Sequence, residues 1–119
     1  MKPIVLPIIA MFLSFSGTDT ITGRWESKPS VNGNVTGVVF KEDNTYDGYI
    51  NKKPFVSGTF TYSSKDSLFT IEDGGCAEIV GTYKINFFSN GDSMSFRAIS
   101  DDCTGRKGGM ERTVLGRVK

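Results

Sequence analysis

The sequence predicts an all-β protein: an eight-stranded antiparallel up-and-down (meander) barrel that follows a removable leader. Three observations lead there. Beyond residue 17, no stretch keeps an apolar repeat at helical spacing for three turns. Short runs rich in Val, Ile, Thr, Phe and Tyr recur instead, separated by clusters of Gly, Asn, Asp, Ser and Pro. Within the runs, apolar and polar positions alternate, so each strand has one apolar face to hide. Eight such strands with short connections pair with their sequence neighbours. Closing the sheet on itself then buries the shared face and removes both edges.

The leader occupies residues 1–17. Lys2 makes a positive start, residues 3–15 are almost wholly apolar, and the small residues Ser14, Ser16 and Gly17 suit a signal peptidase. The apolar run is shorter than the roughly 18 residues that span a bilayer, and Pro3 and Pro7 break it. No cysteine near the cut is placed to take a lipid. The expectation is a secretory signal peptide over 1–17 and a single domain over 18–119, secreted or periplasmic, with no membrane anchor. Removing the leader takes Lys2 with it and leaves 13 basic against 13 acidic residues. A net charge of zero offers no long-range field to attract nucleic acid.

The strands are expected at 22–28, 35–42, 45–50, 55–63, 68–72, 76–88, 93–100 and 109–118. Alternation places Val38 and Phe40 on the inner face of the second strand, and Val56, Gly58, Phe60 and Tyr62 on that of the fourth. Ile79, Gly81, Tyr83 and Ile85 line the sixth, and Met94 and Phe96 the seventh. The fifth leaves its inner pair open, as Leu68 with Thr70 or Phe69 with Ile71. Glycines inside strands at 23, 37, 48, 58 and 81 mark the bends of a tightly coiled barrel.

The segment 100–109, SDDCTGRKGG, looks most like a site, with Asp101, Asp102, Cys103, Arg106 and Lys107 crowded together. A reactive thiol, a metal cup and a disulfide are the three readings. There is no histidine, which removes the Ser-His and Cys-His pairings and most metal sites. Two cysteines in a chain bound for an oxidising compartment favour a bridge between Cys76 and Cys103. Asn90-Gly91 is the strongest hairpin signal in the chain. A two-residue loop there pairs Ser89 with Asp92 and sets Cys76 opposite Gly105, two positions from direct opposition to Cys103. The inward apolar position then passes from Ala98 to Ile99, the mark of one extra residue in a β-bulge, which shifts the register by one and makes the cysteines near neighbours, within reach of a bridge after some adjustment. Asp101, Asp102 and Arg106 become turn formers and a local ion pair, with Arg106 as guard of the barrel mouth the less favoured alternative.

Gly23-Arg24-Trp25 resembles the Gly-x-Trp motif of the lipocalins, and Gly81-x-Tyr83 followed by Asp101-x-Cys103-x-x-Arg106 is similar to small bacterial lipocalin-like (calycin) proteins. The resemblance implies that Trp25 plugs one end of the barrel and that a late arginine packs across it. Arg112, on a face with Met110 and Val114, is the expected match. It also implies a small, largely apolar ligand inside the barrel. The expected lining is Phe40, Tyr46, Phe60, Tyr62, Tyr83, Met94 and Phe96, around a small pocket open at the end away from Trp25. No metal, cofactor or catalytic group is expected, since the acid pairs Glu72-Asp73 and Asp101-Asp102 lie adjacent in turns rather than apart and differently buried. The alternative is a protein-interaction or inhibitor module that uses the barrel as a scaffold.

Overall fold

The computed structural model describes residues 20–76 and 78–119; the expected signal peptide lies outside them. The strands are β1 (Gly23–Glu26), β2 (Thr36–Phe40), β3 (Thr45–Ile50), β4 (Lys53–Ser63), β5 (Leu68–Asp73), β6 (Gly81–Phe88), β7 (Ser93–Ser100) and β8 (Val114–Arg117). A 3-10 turn, Gly74–Cys76, follows β5, and a helix, α1 (Thr104–Arg112), separates β7 from β8. Each strand pairs antiparallel with the next, and β1 pairs with β8, so the sheet is a closed barrel in sequence order.

Turn chemistry sets the hairpins. Asn51 and Lys52 both adopt positive φ and join Ile50 to Lys53 in a two-residue turn whose twist matches the strands. Asn90 (φ 59°) and Gly91 (φ 84°) do turn β6 into β7, but Ser89 also takes positive φ and the ladder ends at Phe88 opposite Ser93. The loop is therefore two residues longer than expected, in the expected register.

Expected alternation holds along the inner face. Phe40, Tyr46, Phe60, Tyr83, Ile85, Met94 and Phe96 are buried, and on β5 it is Phe69 and Ile71 that point inward. Gly58 is needed for closure: a Cβ there would lie 1.9 Å from the Glu72 carbonyl oxygen of β5.

The last strand departs from expectation. Residues 109–113 do not extend it; residues 104–112 form α1 instead. Three glycines (105, 108 and 109) give this helix poor propensity, each costing about 1 kcal/mol against alanine. Tertiary contacts hold it: Met110 packs on the core, and Glu111 accepts the Ala98 backbone N–H at 3.1 Å, covering the part of β7 that β8 is too short to reach.

Candidate functional site

The barrel has two ends built on different chemistry, an interior between them, and a trough on its outer wall.

At the first end, the segment before β1 folds across the opening. Ile21 is buried there, and its carbonyl oxygen accepts the Trp25 indole N–H at 2.9 Å. The Trp25 ring meets Phe87 at 6.5 Å, and Phe87 meets Tyr62 at 6.1 Å. Arg117, not Arg112, lies over the tryptophan, with its guanidinium carbon 4.3 Å from the ring centroid. Arg112 is exposed on α1. The parity of the last strand is the reverse of the expected one: Leu115 points inward and Arg117 shares its side. Leu115 carried that signal in the sequence, as the bulkiest apolar residue of the segment.

At the opposite end, Cys76 and Cys103 are disulfide-bonded, with Cα atoms 6.2 Å apart, so the two sulfurs singled out in the sequence do meet. Beside them is a knot of buried charge. Arg106 donates through Nε to Asp101 Oδ2 at 2.8 Å and through Nη2 to Oδ1 at 2.9 Å. It also donates to Asp73 Oδ2 at 3.1 Å and to the Ile79 carbonyl at 2.8 Å. Tyr83 donates its hydroxyl to Asp101. Asp101 Oδ1 accepts the Cys103 N–H, and Asp73 Oδ1 accepts those of Gly75 and Cys76. The Asp101 and Arg106 side chains are 0% and 7% exposed. This is the local ion pair expected from the sequence, but it is buried rather than part of a solvated turn.

A bulge puts Asp101 there. Thr82 pairs with Ser100 and Tyr83 with Ala98, so Ile99 is the extra residue. The expected bulge is present, yet Ile99 is half exposed, and Asp101 is the side chain turned inward. Gly81 clears its space: a Cβ would lie 2.5 Å from Asp101 Oδ2. Gly81, Tyr83, Asp101, Cys103 and Arg106, noticed as a pattern in the sequence, thus form one cluster.

Titration follows from these contacts. The hydrogen bonds from Arg106 hold the Asp101 carboxyl down to about 2 against the cost of burial. Burial, followed by the Asp101 carboxylate, pushes the Tyr83 phenol well above its ordinary range; burial and Asp73 do the same to Tyr46. Arg106 is held protonated chiefly by Asp101. Each charged group in the knot has a partner: Arg106 serves both carboxylates, and Asp73 also accepts two backbone N–H groups, so the knot ties the mouth. Among the described residues, no group of three His, Cys, Asp or Glu side chains is placed for a metal ion.

Of the seven expected lining residues, Phe40, Tyr46, Phe60, Tyr83, Met94 and Phe96 are buried in one core and Tyr62 packs against it, with rings meeting rings. Phe40 meets Phe60 at 4.8 Å and Phe69 at 5.7 Å; Phe96 meets Phe69 at 5.5 Å and Tyr83 at 6.4 Å. Clefts of about 900, 670 and 280 Å³ lie on the wall or the rim. Of the seven, Phe60 and Tyr62 border the smallest of these. The chain matches no protein-family model, no curated protein and no solved structure.

Proposed function

We propose that this is a secreted, lipocalin-like barrel that acts through its outer surface as a protein-interaction module. One observation carries the reading: aromatic rings occupy the barrel axis between two closed ends. Phe40, Phe60, Phe69 and Phe96 contact one another where a carried molecule would lie. The mouth expected to admit it is tied by the Cys76–Cys103 bridge and the Arg106 knot. A ligand large enough to matter would have to separate rings packed at interior density, which costs their mutual contacts. No catalytic step belongs to this reading. The disulfide supports export, as does the leader-like composition of residues 1–17.

The lipocalin resemblance gains support from the plug. Trp25 of the Gly-x-Trp motif lies beneath a late arginine at the closed end of an eight-stranded meander. What the resemblance implies about an enclosed apolar ligand is the part that the packing opposes.

Titration with a small environment-sensitive apolar dye tests the reading, alongside native mass spectrometry of protein purified from its source. The expected result is no saturable interior binding and no retained small molecule. Saturable dye binding that Phe60→Trp weakens would restore the carrier reading. N-terminal sequencing of the purified protein tests the leader, with mature chains expected to begin near residue 18.

A further inference from the structure

The barrel has a second bulge, on the wall rather than at the knot. Gly48 pairs with Val56 and Tyr49 with Pro54, so Phe55 has no partner and is turned outward, 69% exposed. Bulges recur where a side chain has to be re-aimed, and this one aims a phenyl ring into water.

Below Phe55 runs a trough of about 900 Å³. Its floor is a cross-strand row in direct register: Arg24 opposite Val39, Val39 opposite Asp47, and Asp47 opposite Ser57. Gly74 and Gly75 continue it past β4, so the floor stays low where side chains are small or missing. Phe55 and Lys52 border it as well. Tyr49 lies folded down over Gly37, where a Cβ would overlap its ring, and its hydroxyl donates to Glu26 at 2.5 Å. The trough crosses four strands. At about 4.8 Å per strand, with side chains at each end, that is about 20 Å, the reach of about six residues of extended chain.

Its charge is one-sided. Asp47 is neutralised by Lys41 at 2.7 Å. Among the described residues Arg24 has no ion pair and lies over the Tyr49 ring at 6.0 Å, and Lys52 has no ion pair either. Exposed aromatic and arginine side chains are residue types enriched at protein interfaces.

We infer that this trough binds an extended acidic segment of a partner protein, with an apolar side chain against Phe55 and carboxylates against Arg24 and Lys52. The inference rests on the interaction-module reading and specifies its partner. Charge complementarity chooses the occupant: a basic segment would face two unmatched cations, Arg24 and Lys52, and one neutralised acid.

Selection of a displayed random octapeptide library on the immobilised protein tests it. The enriched sequences should be rich in Asp and Glu around a large apolar residue. As free labelled peptides they should bind saturably, weaken with salt, and lose at least tenfold in affinity to Phe55→Ala and to the double variant R24E/K52E. Both variants change only the outer wall, and an unchanged urea midpoint verifies that they fold. No enrichment overturns the inference, as do enriched sequences that lack acids or bind both variants equally. Sedimentation with anionic vesicles in place of peptide binding would assign the patch to a lipid surface and overturn it too. Any of these with a dye-silent interior leaves the interaction-module reading standing, whereas saturable interior dye binding removes that reading separately.

Discussion

Both ends of the barrel are closed by an arginine, and the two arginines do different work. At the plug, Arg117 lies across Trp25 with its side chain 22% exposed and Asp92 at 3.8 Å. Its charge stays partly solvated, and the closure is made by the indole, Ile21 and Phe87 beneath it. At the mouth, Arg106 has given up its water to hold two carboxylates that have given up theirs. A solvated cation over a ring adds about 0.5–1 kcal/mol. A buried ion pair adds little net stability but is costly to break from one side, because the partner remains as an uncompensated charge. The plug should therefore tolerate loss of its arginine and the mouth should not.

The largest expected effect is at Arg106. Arg106→Ala strands Asp101 and Asp73 in the interior and should cost about 3–5 kcal/mol in urea unfolding. A loss under 1 kcal/mol would mean that water reaches the knot.

The bridge comes next. It encloses 27 positions of sequence separation, which the chain-entropy treatment values at about 3 kcal/mol. The double variant C76S/C103S should lose about that much, and Ellman titration of the denatured, unreduced wild type should find no free thiol.

Acid should unfasten the mouth. Asp101 titrates near 2 when folded against 3.8 for the ordinary carboxyl. Because its folded value is depressed, its contribution is complete above about pH 5 and is lost as pH falls through 4 towards 2. That amounts to about 2 kcal/mol. Unfolding measured across this range should show the slope in wild type, and Asp101→Asn should flatten it.

The smallest pair of effects separates the two candidate plug arginines. Arg117→Ala should cost about 1 kcal/mol through the lost ring contact. Arg112→Ala, on the exposed side of α1, should stay within about 0.5 kcal/mol. The reverse order would put the wrong arginine over Trp25.

The barrel and most of its inner face were legible from residues alone, because period-2 alternation and turn residues are local signals that each strand carries independently. Asn90-Gly91 set the β6–β7 register, and two cysteines in a chain with a leader-like start pointed to the bridge, but Cys76 meets Cys103 from a 3-10 turn before β6, which begins at Gly81 rather than at residue 76. Three features could not be read that way. Helix α1 is rich in glycine and lacks an apolar repeat; it is helical because a disulfide, Met110 and Glu111 hold it against the barrel. Asp101 read as a turn residue, since nothing in SDDCTG reveals that the extra residue at Ile99 would rotate the chain and carry a carboxylate inward. The choice between a hollow and a filled barrel depended on whether rings from β2, β4, β5 and β7 would interlock at one height, a matter of strand stagger around the whole cylinder. Alternation tells which way a side chain points; what it meets there is decided by strands far away in sequence.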